Sequence, residues 1–250
     1  MKYARFSIDG TVHQGLVEDD NVRLITGNVF EKFTATEKTY LLSEVKLLAP
    51  VTPSKVVGVG LNYKSVATAK GVPFPDTPIL FLKPPSSIIG PGEAIVIQGN
   101  VKQAAFEVEL VVVIGRKAKN VPAGKALDYV FGYTLTNDVT ARDHMIKGQP
   151  WARGKSFDTF TPLGPFVSSD IDPENTDLSA TVNGETKQSG NTSDMVFSVK
   201  ELIAFISGIM TLEPGDVILT GTPPGADVFV KGDVIVLNSP QLGTMENSVV

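Results

Sequence analysis

FEVELVVVIG, residues 106–115, combines two acidic side chains with an uninterrupted apolar run, and this combination predicts where the core lies. A run such as VVVI is typical of a strand buried on both faces of a sheet. In a strand, Glu107 and Glu109 project from the same face, roughly 6.5–7 Å apart along the chain. Two carboxylates that enter a buried strand together repel each other and lose hydration, so they need a cation or a raised pKa.

A hard divalent cation would meet that need, because Mg²⁺ or Mn²⁺ prefers carboxylate oxygens and keeps coordination positions for a substrate. The third ligand that we predict is Asp138, which ends the strand-like segment GYTLTND among small polar residues. The periodicity alone is equally compatible with a solvent-facing Glu-x-Glu pair that binds no metal. From the residues themselves, both interpretations stay open.

Lys155 and Arg142 are the cations that we associate with this acidic group. Lys155 is followed by Ser, Phe and a turn rich in Thr and Pro, which indicates a side chain held in place. A metal, this lysine and Arg142 would suit a substrate with carboxylate and keto groups. The alternative is an ordinary surface lysine.

Short strand-like segments dominate the chain and predict a mainly β fold with a few helices, of the α+β class. The segments are YARFSI, HQGLVE, NVRLIT, ILFLK, AIVIQ, FEVELVVVIG, GYTLTNDVT, DVILTG and DVIVLN. Helices are predicted in PAGKALDYV and in SVKELIAFISGIM, where Ser198 and Glu201 have the spacing of a capping box. Strands and helices do not alternate regularly, as a doubly wound fold would require.

Two prolines in LLAPVTPSK indicate a boundary near residue 50. We therefore predict a small β-rich N-terminal domain over residues 1–50 and a catalytic domain over residues 51–250. A chain of 250 residues is long enough to bury a substantial core in this arrangement.

The composition excludes several classes of function. The chain has no cysteine, so disulfides, thiolate nucleophiles and cysteine-ligated metals are excluded. The formal net charge of −5 argues against non-specific binding to nucleic acid or to an anionic membrane, and we expect neither partner. The N-terminal segment MKYARFSIDG has no apolar signal core, so a cytoplasmic protein is expected.

The segment VVGVGLNYKSVATAKG, residues 56–71, begins like a dinucleotide-binding loop but lacks its third glycine. Gly58 and Gly60 have the required spacing, whereas the next position of the motif is Tyr63, which is too large for close packing of helix on strand. A hydrolase triad is not recognisable either, because G-x-S-x-G is absent and neither histidine lies beside a nucleophile.

Five segments together carry a resemblance to a known family: FEVELVVVIG, GYTLTNDVTARD, PWARGKSFDTFTPLGP, VNGETKQSGNTSDMVFSV and LEPGDVILTGTPPG. In this order they resemble the signature segments of the fumarylacetoacetate hydrolase family. The resemblance is strongest to its acylpyruvase and oxaloacetate decarboxylase branch and to bacterial 2-hydroxyhepta-2,4-diene-1,7-dioate isomerases. It extends from about Lys55 to the C-terminus.

The resemblance implies a mixed β-roll catalytic domain, usually in a homodimer. It also implies that Mg²⁺ or Mn²⁺ is bound by Glu107, Glu109 and Asp138. A small-molecule 2-oxo or enol carboxylate is the implied binding partner.

The same resemblance assigns roles to five further residues. The family's lysine, which stabilises developing oxyanion charge, corresponds to Lys155, and its threonine ligand of the substrate carboxylate corresponds to Thr222. Gln149 and Arg142 occupy positions that often contact substrate. Tyr63, in the GLNY segment, is also predicted to bind substrate.

One expected pair of the family is missing from this chain. The GLNY segment is normally followed by a histidine and a glutamate on a mobile lid, which activate water or carry protons. The corresponding positions are Val66 and Ala69, and neither can carry a proton. Because a general base typically contributes about 10²–10⁴-fold, hydrolysis is the reaction most weakened. The candidate replacements are Lys155, Lys64, Lys70 and His144.

The residues and the resemblance predict a divalent-metal-dependent enzyme that acts on a small 2-oxo or 2-enol carboxylic acid by decarboxylation or keto–enol isomerisation. Two alternatives remain. One is a C–C bond hydrolase of acylpyruvate or fumarylacetoacetate type that uses a replacement base. The other is a non-catalytic relative that retains metal and ligand binding.

Overall fold

The computed structural model describes every residue from Met1 to Val250. Its regular structure is mostly strand, which confirms the prediction of a mainly β fold with a few helices. The strands are, in chain order, β1 (Lys2–Ile8), β2 (Thr11–Glu18), β3 (Asn21–Gly27), β4 (Phe33–Leu41), β5 (Lys46–Leu48), β6 (Val56–Gly60), β7 (Ile79–Lys83), β8 (Ile88–Ile89), β9 (Ala104–Ala105), β10 (Val108–Ile114), β11 (Val130–Asn137), β12 (Thr140–Ala141), β13 (Thr161–Ser168), β14 (Asp177–Val182), β15 (Glu185–Asn191), β16 (Val217–Leu219), β17 (Val228–Phe229), β18 (Val234–Ser239) and β19 (Gly243–Ser248).

The α-helices are α1 (Lys64–Lys70), α2 (Ala152–Lys155) and α3 (Val199–Ile209). As predicted, α3 begins with a capping box: Ser198 is the N-cap, and Glu201 Oε2 accepts from Ser198 N at 2.8 Å. No helix in the structure has both the length and the apolar character needed to cross a membrane.

The segment PAGKALDYV forms a helix, as predicted, and its type is a 3₁₀-helix over Ala123–Tyr129. Gly124 lowers the helix propensity of its first turn, and β11 begins immediately afterwards at Val130. The segment therefore has no room to lengthen, and short connecting helices of this kind commonly take the tighter 3₁₀ form.

Twelve strands form one large sheet. Ten of them follow the order β4-β3-β2-β1-β13-β11-β10-β16-β6-β7, while β5 pairs with β1 and β8 pairs with β13. Strand β10 lies between β11 and β16 and is antiparallel to both. All seven of its residues are buried, as the VVVI run predicts.

Two smaller sheets complete the architecture. One has the order β12-β9-β17, and the other has the order β15-β14-β18-β19. In the second, β14 pairs antiparallel with both β15 and β18. Pairing of β9 with β12 brings the segments before β10 and after β11 together.

The two faces of β10 belong to different apolar cores. Leu110 and Val112 lie in a cluster of 35 buried residues that includes Leu202 of α3. Val111 and Val113 lie in a second cluster of 12 buried residues. Because side chains alternate along a strand, Glu109 shares the face of the second cluster, at the end of the strand where the apolar packing stops.

Residues 1–50 continue the large sheet instead of forming a separate one. Strand β1 pairs with β13, with Lys2 opposite Ser168 and Tyr3 opposite Val167. Tyr3 and Ile25 also lie in the second apolar cluster beside residues of β10, β13 and β16. The two predicted domains thus share a sheet and a core, and their division near residue 50 stays a prediction.

Candidate active site

The pairing of β10 with β11 brings the predicted metal ligands together. Val108 lies opposite Asn137, and just beyond this pair Asp138 N donates to Glu107 O at 2.8 Å. Asn137 Oδ1 accepts from Glu107 N at 2.9 Å. Because the two segments run side by side past the ends of their strands, Glu107 and Asp138 are neighbours although 31 positions separate them in the sequence.

Glu107, Glu109 and Asp138 each supply a carboxylate oxygen, and the three oxygens lie within 4.8 Å of one another. Glu109 and Asp138 are buried, whereas the Glu107 side chain is 18% exposed. Glu109 Oε2 accepts from Gly221 N at 2.7 Å. Gly221 has a φ of +100° and approaches Asn62 so closely that a Cβ would lie 2.9 Å from Asn62 Cβ, so glycine is required there.

Two buried lysines contact the acidic cluster. Lys155, at the end of α2, donates to Glu107 Oε2 at 2.7 Å and to Asp138 Oδ2. Lys83, the last residue of β7, donates to Asp138 Oδ1 and to the carbonyl oxygens of Val139 and Phe160 at 3.1 and 2.8 Å. Lys83 is absent from the predicted site, because a lysine that ends the run ILFLK is the only signal for it in the sequence.

The ion pairs keep Asp138 and Lys155 charged. Burial alone would raise the pKa of Asp138, but Lys155 and Lys83 more than offset it and hold the pKa below its usual range. Burial alone would lower the pKa of Lys155, but Asp138 and Glu107 raise it above its usual value. At neutral pH, Lys155 is therefore a permanent cation at the centre of the site.

Glu109 is the carboxylate whose negative charge a further cation would compensate. Burial, and then the charge of Asp138, raise the pKa of Glu109 well above its ordinary value. With all three carboxylates ionised, the cluster would carry one negative charge more than the two ammonium groups compensate. A buried all-oxygen donor set with excess negative charge fits a hard divalent cation such as Mg²⁺ or Mn²⁺.

Two adjoining cavities open from the carboxylate cluster. The inner one, about 170 Å³, is lined by all three carboxylates and Lys155. The outer one, about 590 Å³, is lined by Arg142 and by the turn from Thr222 to Ala226. Six residues line both cavities: Val66, Lys70, Glu107, Thr140, Met145 and Thr222.

The glycines of VVGVG leave room for two aromatic rings. A Cβ on Gly58 would lie 2.1 Å from the Phe81 ring, and a Cβ on Gly60 would lie 2.0 Å from the Trp151 ring. The two rings are 5.7 Å apart and both line the inner cavity. Lys155 Nζ lies 4.8 Å from the centre of the Phe81 ring, within cation–π range.

Thr222 lines both cavities and is held by its neighbours. Its Oγ1 donates to Val108 O at 2.9 Å and accepts from Gln188 Nε2 at 2.8 Å. Gln188, which is buried, also accepts from Val108 N at 2.9 Å. Gln188 is a second residue that the sequence prediction missed, because it lies on β15 outside any recognisable acidic or basic motif.

The remaining predicted residues differ in whether they line the two cavities. Arg142 lines the outer cavity, where Nη2 donates to Ala226 O at 2.6 Å. Tyr63 is fully buried, its hydroxyl has no partner, and it lines neither cavity. Gln149 is exposed and lies in a separate groove beside Trp151. Substrate contact by Tyr63 and Gln149 stays a prediction.

The positions of the missing lid pair lie on α1 and face the cavities. Val66 lines both cavities, and Ala69 lines the outer one. Of the candidate replacements, Lys70 and Lys155 line the inner cavity, whereas Lys64 and His144 line neither. His144 Nε2 instead lies 2.9 Å from Asn100 O.

Comparison with known families agrees with this geometry. A family model described as fumarylacetoacetate (FAA) hydrolase C-terminal matches residues 55–250. The chain belongs to the fumarylacetoacetate hydrolase family. A second model, described as Rv2993c-like, N-terminal, matches residues 1–50.

Relatives within the fumarylacetoacetate hydrolase family include named isomerases. The chain is 48% identical to a human mitochondrial oxaloacetate tautomerase over 221 residues, which cover 83% of this chain and 70% of the relative. It superimposes on the 5-carboxymethyl-2-hydroxymuconate delta-isomerase of Mycobacterium smegmatis with a TM-score of 0.93 at 39% identity, covering 100% of this chain and 99% of that one. It also superimposes on the 2-hydroxyhepta-2,4-diene-1,7-dioate isomerase of Mycobacterium marinum with a TM-score of 0.93 at 38% identity. That alignment covers 100% of this chain and 98% of the other.

These similarities confirm the predicted family, its isomerase branch and its fold. Members of the fumarylacetoacetate hydrolase family are enzymes, and these three relatives are named for tautomerisation or isomerisation of small carboxylic acids.

Proposed function

We propose that this chain is a divalent-metal-dependent enzyme that catalyses keto–enol isomerisation or decarboxylation of a small 2-oxo or 2-enol carboxylic acid. The observation that carries the proposal is the cluster of Glu107, Glu109 and Asp138 at the base of a cavity. Its uncompensated negative charge and oxygen-only donors fit Mg²⁺ or Mn²⁺. The names of the relatives support the reaction class.

Each group of the chain has a defined task in this proposal. Glu107, Glu109 and Asp138 would hold a divalent ion, which when bound would supply Lewis-acid polarisation of a 2-oxo acid. Lys155 stays protonated beside Asp138 and stabilises negative charge that develops on the substrate oxygen. Thr222 Oγ1 already donates to Val108 O and accepts from Gln188 Nε2, so it would bind the substrate carboxylate at the edge of the inner cavity by turning its proton away from Val108 O.

Isomerisation and decarboxylation suit this site better than hydrolysis. Cleavage of a diketone requires an attacking water and a base to activate it. Val66 and Ala69 cannot act as that base, and Lys155 is held in its protonated form. Decarboxylation needs no added nucleophile and is weakened least, whereas isomerisation needs no attacking water but still needs a group that carries a proton.

The proposal predicts that the protein with Mg²⁺ accelerates conversion of enol-oxaloacetate to the keto form beyond the rate with Mg²⁺ alone. Loss of the enol absorbance measures isomerisation, and release of CO₂ with pyruvate measures decarboxylation. We expect Glu109→Gln to lose at least about 10²-fold in rate, because it removes a charged metal ligand. Removal of the metal with EDTA should abolish the same activity, and adding Mg²⁺ should restore it.

Glu185→Gln is the matched control, because this glutamate is 73% exposed and pairs only with Lys187. Full activity in Glu109→Gln would contradict the metal site. Cleavage of an acylpyruvate with release of a free acid would instead favour the hydrolase. If no reaction occurs but oxalate with Mg²⁺ raises the melting temperature, the chain is a non-catalytic relative.

The homodimer and the cytoplasmic location stay predictions of the sequence, as does the absence of nucleic-acid and membrane partners. The homodimer is checked by light scattering of the full chain.

A further inference from the structure

We infer that Lys70 binds an anionic group at the end of the substrate remote from the metal ligands, so that it determines a preference for dicarboxylates over monocarboxylates with the same 2-oxo-acid head. This inference rests on the proposed function, because the metal ligands define which end of the substrate is remote. It assigns a specificity role to a helix on which the usual catalytic pair is missing.

Lys70 lies where the two cavities meet. It lines both the inner and the outer cavity, as do Val66 of the same helix and Glu107. The other residues that α1 contributes to the cavity walls are Val66 and Ala69. Lys70 is therefore the only charged side chain that α1 presents to bound substrate.

The Lys70 ammonium is available for an incoming anion. No carboxylate oxygen lies within 4.0 Å of it, whereas the other cation of the outer cavity, Arg142, is already engaged. Arg142 Nη2 donates to Ala226 O at 2.6 Å, and its Nη1 lies 3.6 Å from Asp227 Oδ1. A substrate anion gains more from an unpaired ammonium than from a guanidinium whose charge is partly satisfied.

The charges of the two cavities would orient the substrate. All three carboxylates and Lys155 line the inner cavity, which at about 170 Å³ has room for a 2-oxo-acid head. The outer cavity, about 590 Å³, has room for the rest of a short chain, and its wall from Pro223 to Ala226 carries no charge. An anion extending outward from the head would therefore meet Lys70 and Arg142 and no acidic residue other than Glu107.

Hydrogen bonds at the start of α1 hold the helix in position. Asn62 Nδ2 donates to Thr220 O at 2.8 Å and to Phe197 O at 3.1 Å, and Ser65 N donates to Asp194 Oδ2 at 3.1 Å. Gly71 ends the helix in the left-handed region, with a φ of +63°. An anchored helix with a flexible lysine in its last turn fits recognition of a distal charge.

The test compares two 2-oxo acids of equal chain length, neither of which has the β-carboxylate that decarboxylation would require. Calorimetry in Mg²⁺ measures the affinity of 2-oxoglutarate and of 2-oxopentanoate, which lacks the distal carboxylate. We expect the unmodified protein to bind 2-oxoglutarate about tenfold tighter, as one charge-assisted hydrogen bond provides. Lys70→Ala should remove this preference, Lys70→Arg should keep most of it, and Lys70→Glu should reverse it.

Lys64→Ala is the matched control, because Lys64 lies on the same helix but lines neither cavity. The inference is overturned if Lys70→Ala retains the preference, if Lys64→Ala loses it equally, or if the unmodified protein has none. A loss of kcat in Lys70→Ala with both affinities unchanged would also overturn it, since that result assigns proton transfer to Lys70. Because calorimetry measures binding at equilibrium and does not depend on turnover, a preference without turnover of oxaloacetate would reject the proposed function alone.

Discussion

Asp138 lies between two ammonium groups, one on each carboxylate oxygen. Lys83 donates to Oδ1 and Lys155 donates to Oδ2. Lys83 is completely buried, and burial lowers its pKa despite the charge of Asp138. Its three acceptors include two backbone carbonyls, so it links Asp138 to the segments that flank β12 and β13. Lys83 thus fixes the orientation of a predicted metal ligand.

Replacement of Lys83 by Met should be strongly destabilising. The variant keeps most of the side-chain volume but leaves Asp138 Oδ1 and two carbonyl oxygens buried without their donor. Breaking a buried ion pair by removing one partner typically costs about 3–5 kcal/mol of unfolding free energy. Urea denaturation measures the loss, and calorimetric titration with Mg²⁺ should show weaker binding.

The control is Lys117→Met, since Lys117 is 68% exposed and its only ion pair is with Glu213 at 3.2 Å. This substitution should lower the unfolding free energy by less than about 1 kcal/mol. If Lys83→Met and Lys117→Met lowered the unfolding free energy by similar amounts, the buried ion pair would contribute no more to stability than a surface pair.

Strand β6 shows how an element without polar side chains shapes the site. Its two glycines leave room for the rings of Phe81 and Trp151, and Phe81 in turn lies beside the Lys155 ammonium. A wall of the inner cavity therefore depends on the absence of two Cβ atoms from a strand. Glycine inside a strand commonly marks such a close approach.

Substitution of Gly60 by Ala should displace Trp151, because the new Cβ would lie 2.0 Å from the indole ring. Trp151 is the only tryptophan of the chain, so its fluorescence reports this movement directly. We expect emission at longer wavelength, as the ring becomes more exposed to water, and a lower turnover. Gly208→Ala on α3 is the control, since nothing lies within 4 Å of its added Cβ; an unchanged spectrum in Gly60→Ala would contradict the packing role.

At the scale of the whole molecule, the large sheet joins both predicted domains. Strand β1 is hydrogen-bonded to β13, and the cluster that contains Val111 and Val113 also contains Tyr3 and Ile25. The strand that carries Glu109 therefore packs on residues of the N-terminal segment. Folding of the site and folding of residues 1–50 should be coupled.

This coupling predicts a single cooperative unfolding transition. Hydrogen exchange in increasing urea should show that amides of Lys2–Ile8 and Val108–Ile114 lose protection together, with the same opening free energy. The shared core is the physical reason, because opening either segment exposes the apolar surface of the other. Earlier exchange throughout residues 1–50 would instead establish an independent N-terminal domain.

Several features of the fold and the site depend on local order along the chain and can be predicted from it. The buried strand of VVVI, the common face of Glu107 and Glu109, and the capping box of α3 follow from the period of side chains and the chemistry of a helix start. Asp138 and Lys155 were candidates from their local sequence, the family segments assigned their roles, and the structure places both beside Glu107. These signals are contained in a few adjacent residues, so they can be recognised without the fold.

Contacts between groups that are distant in the sequence depend on how the whole chain folds. The three acceptors of Lys83 lie on residues 55 to 77 positions further along the chain, so no local pattern identifies it. The same applies to Gln188 beside Thr222 and to β1 beside β13. The packing of Gly60 on Trp151 and the position of Lys70 between two cavities likewise depend on the sheet order. Such contacts arise because hydrogen bonding and burial select among arrangements of the whole chain, and periodicity along one segment carries no information about that choice.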